Sequence, residues 1–363
     1  MQKSKNKRNK YAGFIGTMAG IVLALCAAVA ALVIIVDPFF HYHAPLSGFP
    51  YLIDDQLTQN PGIAKYFEYD SISIGSSVSV NFKVSWFDEL FGTNTAKLPY
   101  NGAYPKDIAN AFKLADKSGK DLKAVFWGID IAAYSADPEE IKYPLPEYLY
   151  DKNPLNDVFY VFNKDVIVKY IVEPYINKAL ETDRDEYYCS AQYFSYGRSR
   201  VLSGFEQIPK TALTTPETKA QNISDSLKRL EVNWEENLVP MIESRPDTIV
   251  YVYFPPRSVL YWYEFRQKDQ MDTVISEEKK LAELLLAYDN VKLYYFEDDT
   301  DTITDFDNYN DTVHFSFDVS RQILEKMAAG EDELTAENFE ETIDAFGRFI
   351  NEYDYDSLFL QSE

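Results

Sequence analysis

An uninterrupted apolar run near the N-terminus constrains this chain more than any other feature of its sequence. Residues 11–36 read YAGFIGTMAGIVLALCAAVAALVIIV, which is 26 residues without a charge. Because about 20 apolar residues suffice for a helix to cross a bilayer, the run predicts a transmembrane anchor. Five basic residues and no acidic residue precede it. This asymmetry predicts a cytoplasmic tail at residues 1–10 and an extracellular location for the rest of the chain.

Two forms of processing compete with an uncleaved anchor. Ala28 and Ala30 form a small-x-small pattern, but the apolar run continues to Val36, whereas a signal peptidase site normally follows the hydrophobic region. Lipid attachment at Cys26 is disfavoured because Leu25 stands where a small residue is expected. The sequence therefore favours a single-pass anchor that is retained in the cell membrane.

The chain beyond the apolar run is strongly acidic. All 58 Asp and Glu residues follow the run and five of the 35 Lys and Arg residues precede it, so the net charge of −23 becomes −28 for residues 37–363. Such a surface repels phosphate backbones, and we expect no nucleic-acid partner. Cys26 and Cys189 cannot pair within one chain, and His41 and His43 have no nearby third ligand for zinc, so juxtamembrane packing is favoured for them. No metal and no other cofactor is expected.

Beyond residue 70, short β-branched runs alternate with amphipathic helical patterns. This alternation predicts βαβ units and an α/β fold, with a mainly parallel sheet covered on both faces. The predicted strands are residues 71–74, 95–99, 122–129, 247–254 and 291–296, and the predicted helices lie near 104–117, 217–243, 274–288 and 318–329.

Three segments lie outside this alternation. Residues 37–69 are rich in proline and aromatic residues, and they predict a juxtamembrane stalk that packs onto a domain at 70–330. Residues 132–216 are an insertion that holds 11 of the 28 tyrosines. These tyrosines are either the packing aromatics of a helical subdomain or a surface on which sugars stack. Residues 331–363 predict one amphipathic helix and a docking tail.

Ligands of open α/β sheets bind beyond the carboxyl ends of the strands, so residues that follow the predicted strands are the candidates for a site. A serine nucleophile needs a base, and the base needs an orienting carboxylate. Ser77 follows the first strand, while Asp311 and His314 follow the last, which would bring all three to one edge of the sheet. The other candidates at this edge are Gly102 and Asp130 and, as residues lining a substrate cleft, Asn101, Arg257 and Trp262.

These residues resemble the motifs of the SGNH, or GDSL-like, hydrolases. The turn Gly75-Ser76-Ser77 is similar to the nucleophile turn of that family, and the strings VDPFFHYH and NYNDTVHF look like a membrane-anchored subgroup associated with acylation of surface polymers in Gram-positive bacteria. The resemblance spans roughly residues 37–330. It implies a flavodoxin-like, three-layer α/β/α domain with a mainly parallel five-stranded sheet. The nucleophile elbow of the unrelated α/β-hydrolases fits less well, because Ser79 occupies the place of its second glycine.

The resemblance also implies a role for each candidate. Ser77 would be the nucleophile, with His314 as its base and Asp311 orienting the base, and Ser77, Gly102 and the residue at position 130 would form the oxyanion hole. The family has an asparagine at that last position, whereas this chain has Asp130. An ionised carboxylate there would repel the developing negative charge, and a protonated one could donate a hydrogen bond.

Two functions remain open at this point. The first is a membrane-anchored, extracellular serine esterase or O-acyltransferase that acts on an envelope polysaccharide or polymer, and the sequence leans towards this enzyme. The second is a catalytically degenerate SGNH-like domain that binds a glycan or assists a membrane acyltransferase, with Asp130 disabling the oxyanion hole. The sequence names neither the polymer nor the acyl group.

Overall fold

The computed structural model describes residues 2–360 of the chain, which falls into two compact units. We call Met1–Tyr66 with Leu145–Thr182 the anchor unit, and Phe67–Pro144 with Asp183–Glu363 the sheet unit. Most of the residues predicted as a stalk therefore fold together with the middle of the tyrosine-rich insertion, and both ends of the insertion belong to the sheet unit.

The helices and strands follow one another along the chain. Helices α1 to α17 are Gln2–Val36, Gln56–Tyr66, Val84–Phe91, Pro105–Lys117, Glu147–Tyr150, Val158–Val161, Lys164–Ile167, Glu173–Ile176, Arg198–Ser203, Pro216–Asn233, Val239–Glu243, Val259–Gln267, Met271–Leu285, Thr300–Thr304, Phe317–Ala329, Phe339–Glu352 and Tyr355–Leu360. Strands β1 to β6 are Ser71–Ile74, Thr95–Lys97, Ala124–Gly128, Ile249–Phe254, Val291–Tyr295 and Glu333–Leu334. Two π-helical segments, Val168–Val172 and Trp234–Leu238, continue α7 into α8 and α10 into α11.

Helix α1 contains the apolar run that opens the sequence. Within it, Tyr11–Val36 is long and apolar enough to cross a membrane. Large apolar side chains along this run are exposed, as Leu23 is at 69%, which is the surface that a lipid-facing helix presents. This part of the prediction fits the structure, while the side of the membrane on which each end lies stays a prediction.

Asp37 ends α1 and organises the chain that follows it. Its backbone has a φ of 47°, and its side chain is fully buried. The carboxylate accepts hydrogen bonds from the backbone N–H groups of His41, Tyr42 and His43 at 3.0, 2.7 and 2.9 Å, and from the Tyr160 hydroxyl at 2.8 Å. Residues 37–43 therefore form a compact knot around one carboxylate, which gives the string DPFFHYH a structural role.

Side chains of the anchor unit also satisfy the last carbonyl groups of α1, which have no partner within a helix. The Tyr51 hydroxyl donates to the carbonyl of Val36 at 2.6 Å, and the His43 ring Nε2 lies 3.0 Å from the carbonyl of Ile34. These contacts close the helix end at the point where the chain leaves the apolar run.

The sheet unit is built on six strands in the order β2-β1-β3-β4-β5-β6. The first five are parallel, with Ile72 of β1 in register with Ala96 of β2 and Val125 of β3. The strand order reverses at β1, since β2 lies on one side of it and β3 on the other. Ligand sites of parallel sheets occur at such reversals, beyond the carboxyl ends of the strands.

The α/β prediction is correct, but the count of five strands is one short. β6 pairs antiparallel with β5, with Leu334 opposite Leu293. It has two residues, and so short a strand leaves no periodic signal in a sequence. The other predicted strands and helices match β1 to β5 and helices α4, α10, α11, α13 and α15.

Strands β1 and β2 are buried along their length even at polar residues, such as Ser73 in β1 and Lys97 in β2. All residues of β1, β2 and β3 are buried, which is the pattern of parallel strands covered on both faces. At the far edge, α13 and α16 pack together, and the Phe346 ring of α16 meets the Trp262 ring of α12 at 5.2 Å.

Candidate active site

The turn after β1 presents one serine and packs the others inward. Gly75 leaves the strand with a φ of +146°, and Ser76 precedes a short 3₁₀ turn at Ser77–Ser79. The hydroxyl of Ser76 is buried and has no hydrogen-bond partner in the described part of the chain, whereas Ser77 is partly exposed. Ser77 is therefore the serine of this turn that can meet a substrate.

Ser79 fixes the turn against the neighbouring strands. Its hydroxyl lies 3.3 Å from the Tyr253 hydroxyl of β4. A Cβ atom added at Gly75 would stand 2.1 Å from Ser79 Oγ, and one at Gly128 would stand 2.4 Å from Ser79 Oγ and 2.7 Å from the Tyr253 hydroxyl. Both glycines are needed because the turn folds back onto the ends of β1 and β3 with no room for a side chain.

Three side chains form a hydrogen-bonded line at this edge of the sheet. His314 Nε2 lies 2.9 Å from Ser77 Oγ, and His314 Nδ1 lies 2.8 Å from Asp311 Oδ2. Ser77 and His314 are 237 positions apart in the chain, so the contact comes from the fold. The distances are those of a serine that can pass its proton to an imidazole held by a carboxylate.

The Asp311 carboxylate is held in place by its own loop. Asp311 Oδ1 accepts the backbone N–H groups of Val313 and His314, each at 2.8 Å. Burial raises the pKa of Asp311, but the hydrogen bond and charge of His314 and these two amides more than offset it, so the pKa falls to about 2. The carboxylate is ionised at neutral pH and can stabilise a positively charged imidazole.

Helix α15 and α12 position the loop that carries Asp311 and His314. Ser316 caps α15, because its hydroxyl accepts the N–H of Val319 at 3.3 Å, as its place in the sequence predicts. On the other side, the hydroxyl and the N–H of Ser258 both bind the carbonyl of Thr312, at 3.0 and 3.2 Å. The loop is thus fixed at both ends.

An aromatic side chain that sequence reasoning missed lies beside the histidine. The Phe194 ring centroid is 6.0 Å from that of His314. The segment that carries it is tied to the loop after the nucleophile turn, since Asn81 Oδ1 accepts the backbone N–H groups of Ser190 and Ala191 at 2.9 and 3.1 Å. Phe194 is one of many aromatic residues in the insertion, and only the fold distinguishes it.

Two backbone N–H groups near the serine are available to a ligand. Within residues 2–360, neither the N–H of Ser77 nor that of Gly102 donates to another group of the protein. Gly102 has a φ of +67°, and a Cβ there would stand 3.0 Å from Cε of Lys142. Asn101 is exposed, and its place in a substrate cleft stays a prediction. Lys142 beside Gly102 is a neighbour that the sequence did not indicate.

Asp130 follows β3 and has a buried cation as its partner. Arg257 Nη2 donates to Asp130 Oδ1 at 2.9 Å and to the carbonyl of Ile129 at 3.1 Å, while Nη1 donates to Glu297 Oε1 at 2.8 Å. The Arg257 side chain is fully buried, and that of Asp130 is 27% exposed. Burial lowers the pKa of Arg257, but the carboxylates around it and Tyr261 raise the pKa by more than burial lowers it. The pKa of Arg257 is therefore above its ordinary value.

A pair of buried carboxyl groups lies behind Arg257. Glu278 and Glu297 are both fully buried, and their carboxyl groups interact with each other and with Arg257. Burial raises the pKa of both, that of Glu278 to about 7. The Tyr295 hydroxyl donates to Glu278 Oε2 at 2.7 Å. The chain from Asp130 to Tyr295 was not predicted, because its members lie on four separate segments.

Two residues predicted to line a cleft do not do so. Arg257 and Trp262 are both fully buried. Trp262 packs among aromatic rings, 4.9 Å from Tyr261 and 5.2 Å from Phe346, and Arg257 reaches the sheet edge only through Asp130. The prediction is wrong for both side chains because residues that follow a strand can turn into the core as well as towards the edge.

A second buried cation supports the loop after the nucleophile turn. Lys97, the last residue of β2, is fully buried, and its Nζ donates to the carbonyls of Val80 and Phe82 at 3.1 and 2.9 Å. It also lies 3.1 Å from Cys189 Sγ. Burial lowers the pKa of Lys97 and raises that of Cys189. Lys97 therefore holds the chain that leaves Ser77.

Comparison with known proteins adds little to this geometry. No protein-family model matches the chain, and no curated protein matches it. A solved structure from Streptococcus pneumonia, provisionally described as a platelet activating factor, is similar with 13% identity and a TM-score of 0.36, over 75% of this chain and 91% of that one. At that distance the similarity carries no argument about activity, which has to rest on this chain's own residues.

Proposed function

We propose that this protein is a membrane-anchored serine esterase or O-acyltransferase of the SGNH type. The observation that carries the proposal is the continuous hydrogen-bonded line from Asp311 through His314 to Ser77, with separations of 2.8 and 2.9 Å. A serine, an imidazole and an ionised carboxylate in this order are the components of nucleophilic acyl transfer.

The proton has a defined route through this line. Ser77 Oγ attacks the carbonyl carbon of an ester while its proton passes to His314 Nε2, and Asp311 stabilises the resulting imidazolium through Nδ1–H. The tetrahedral intermediate then expels the alcohol, which takes the proton from His314, and the acyl group remains on Ser77. Water or a sugar hydroxyl repeats the sequence in reverse and releases the acyl group, which gives hydrolysis or transfer respectively.

Two backbone donors and one ion pair fit the oxyanion. The N–H groups of Ser77 and Gly102 have no partner within the described chain and are the proposed donors to the negatively charged oxygen. Asp130 stands where the family has an asparagine, and its pairing with Arg257 offsets the charge that would oppose this stabilisation. Gly102 and Asp130 are thus proposed to act with Ser77, the first through its backbone and the second as part of an ion pair.

The alternative is a degenerate domain that binds a glycan or assists a membrane acyltransferase. Its argument was the carboxylate at position 130, and the Arg257 ion pair weakens that argument. The finer fold class, a flavodoxin-like three-layer SGNH domain, is also proposed, because the strand order β2-β1-β3-β4-β5 is that of doubly wound sheets of this kind. An acyltransferase partner in the same membrane remains compatible with the enzyme.

The proposed substrate is an acylated or acyl-accepting polymer of the cell envelope, such as a polysaccharide. Two features support it. The chain carries a helix, Tyr11–Val36, that can hold the protein at a membrane surface, where such polymers are assembled. Residues 37–363 carry a charge of −28, which disfavours strongly anionic polymers and favours neutral or cationic ones.

The test is covalent labelling of the full-length protein in detergent micelles or nanodiscs. We expect a fluorophosphonate probe to label the wild type and p-nitrophenyl acetate to be hydrolysed, and we expect Ser77→Ala to abolish both. Ser76→Ala is the matched control, because the neighbouring hydroxyl is buried and has no partner in the described chain. Labelling that is absent in the wild type, or that persists in Ser77→Ala, would reject the enzyme.

A further inference from the structure

Two short segments of the anchor unit expose large apolar side chains. In the first, Leu155, Phe159 and Phe162 are 84%, 65% and 47% exposed, and in the second, Val172, Tyr175 and Ile176 are 40%, 69% and 77% exposed. We call these six residues the apolar collar. Phe159 lies in α6, and Tyr175 and Ile176 lie in α8. Val172 ends the π-helical segment before α8, and Leu155 and Phe162 lie in the turns on either side of α6.

The opposite faces of the same helices form the core of the anchor unit. Tyr160, Val161, Val166, Tyr170 and Ile171 are all buried. The hydroxyl of Tyr160 binds Asp37, and the Tyr170 ring meets the Phe39 ring at 4.8 Å. The collar therefore is not a core face left uncovered, since the core face of each helix is already occupied. A segment that exposes apolar side chains after its core face is buried is expected to contact a second apolar environment outside the unit.

The collar begins where the predicted membrane helix ends. Asp157 accepts the Tyr42 hydroxyl at 3.0 Å and lies 3.3 Å from His41 Nε2, and the Tyr160 hydroxyl binds Asp37. Phe159 lies between these two contacts in a helix, α6, that packs against α1. The apolar surface of α1 also reaches this level, because Ile35 is 61% exposed. The exposed apolar surface of α1 is thus continued by that of the collar.

Length and charge agree with a lipid neighbour. The apolar run of 26 residues spans about 39 Å as a helix, whereas the hydrocarbon core of a bilayer is about 30 Å thick. The run therefore exceeds the hydrocarbon core by about 9 Å, which is long enough for the last turns of α1 to reach the headgroup region, at the depth that interfacial helices occupy. Residues 155–180 hold three lysines and three acidic residues, so the segment is formally neutral within a strongly acidic chain.

We infer that the apolar collar inserts into the interfacial region of the bilayer that α1 crosses, so that the anchor unit lies on the lipid surface. The occupant of the collar is lipid, because the collar continues the lipid-facing surface of α1. The inference rests on the anchoring part of the proposed function and is independent of its chemistry. It also separates this part of the tyrosine-rich insertion from a sugar-binding role.

Spin labels on the full-length protein in lipid nanodiscs, one copy per disc, test the inference. Labels are placed at Phe159→Cys and Tyr175→Cys in a Cys26→Ala background, with Leu23→Cys in α1 as the lipid reference and Leu213→Cys, an exposed leucine of the sheet unit, as a comparison. At positions 159 and 175 we expect the label to be more accessible to oxygen than to a water-soluble nickel complex, as at position 23.

The outcomes distinguish failure of the inference from failure of the anchor. If the label at position 23 meets lipid but those at positions 159 and 175 meet the nickel complex, the collar faces water and the inference is wrong. If these two labels are shielded from both reagents, a protein surface covers the collar and the inference is equally wrong. If position 23 itself meets the nickel complex, the anchor is wrong and the inference falls with it. Both substituted side chains are exposed, so the variants should fold.

Discussion

Arg257 donates a hydrogen bond of 2.9 Å to the Asp130 carboxylate although the arginine side chain is fully buried. The same guanidinium binds Glu297 at 2.8 Å. A buried cation with two carboxyl partners is costly to disrupt, because removal of one member leaves another charge without compensation. The pair also reduces the repulsion that Asp130 would exert on an oxyanion, since the buried Arg257 offsets its negative charge.

Removal of the Arg257 charge should therefore harm the proposed chemistry through Asp130. In Arg257→Met we expect the rate of p-nitrophenyl acetate hydrolysis to fall about 10- to 100-fold, because an uncompensated carboxylate opposes the oxyanion. Asp130→Asn in the same chain should recover much of the loss. Asparagine keeps an acceptor oxygen and adds an N–H donor, so Asp130→Asn alone should raise the rate.

The double-mutant cycle isolates this coupling. Melting temperatures of all four proteins, followed by circular dichroism, are the control for a loss of folded protein. Equal rates in Arg257→Met and in the double variant would contradict the account, as would a fall in rate in Asp130→Asn without a fall in stability.

The carboxylate of Asp311 should matter far more for the rate of catalysis than for the fold of the protein. In Asp311→Asn we expect kcat to fall about 10²- to 10⁴-fold, since the imidazolium of His314 loses its ionised partner and the tautomer is no longer fixed. Asp307→Asn, an exposed aspartate in the same loop, is the matched control and should keep wild-type kcat. A similar fall in both variants would indicate a general effect on the loop.

The low pKa of Asp311 predicts how the stability of the protein depends on pH in the acid range. Its folded pKa of about 2 lies below the ordinary value of 3.8, so its contribution to stability is present above about pH 4 and is lost as the pH falls through about 2. The difference in stability between wild type and Asp311→Asn should therefore shrink as the pH falls from about 4 to about 2. Unfolding curves at intervals of pH measure this difference, and a constant difference over that range would contradict the low pKa of Asp311.

The buried carboxyl pair gives the opposite dependence on pH. Burial raises the pKa of Glu278 from 4.5 to about 7, so the folded state binds the proton more tightly than the unfolded state. The associated stability is fully present below about pH 4.5 and is lost as the pH rises through about 7. We expect Glu278→Gln to gain melting temperature relative to wild type between pH 5 and pH 8.

Differential scanning fluorimetry at intervals of pH provides the measurement. The control is Glu283→Gln on the same helix, α13, where the side chain is 63% exposed, and the gain should be absent there. Parallel melting-temperature curves for wild type and Glu278→Gln over this range would contradict the raised pKa of Glu278.

Lys97 should be needed for stability although it touches no substrate. Lys97→Met removes the ammonium donors to the carbonyls of Val80 and Phe82 and leaves these buried acceptors only the weaker thiol donor of Cys189, so we expect a loss of about 2–4 kcal/mol in the free energy of unfolding. Lys228→Met, on a side chain that is 68% exposed, should change it by less than about 0.5 kcal/mol. Urea unfolding measures both, and equal stability of the two variants would contradict the role given to Lys97.

The elements and the proposed nucleophile could be read from the sequence for a physical reason. Ser77 and the pair Asp311 and His314 follow strands, and strands that alternate with helical patterns indicate a parallel sheet, in which the carboxyl ends of the strands lie at one edge. Arg257 could not be interpreted in the same way. Its partner Asp130 is 127 positions away, and a cation that follows a strand looks alike in sequence whether it faces a cleft or the core.

The prediction for Trp262 was wrong for a similar reason, since an aromatic residue suits both a cleft and a core. The β6 strand was missed because two residues carry no period. Residues 37–69 were predicted as a stalk because they are rich in proline and aromatic residues, but the backbone after α1 is bound by Asp37, which also accepts a hydrogen bond from a segment more than 100 residues later. Such pairing leaves no local trace.

In the proposed extracellular orientation, the knot around Asp37 has a consequence for how long the protein stays on the cell. Proteases that shed surface proteins need several residues of extended, accessible chain near the membrane. Here the chain that leaves α1 is folded around a buried carboxylate, with its backbone N–H groups and the last helix carbonyls engaged. Release by a sheddase would first require this knot to unfold, and the anchored form should therefore be long-lived even where secreted proteases are abundant.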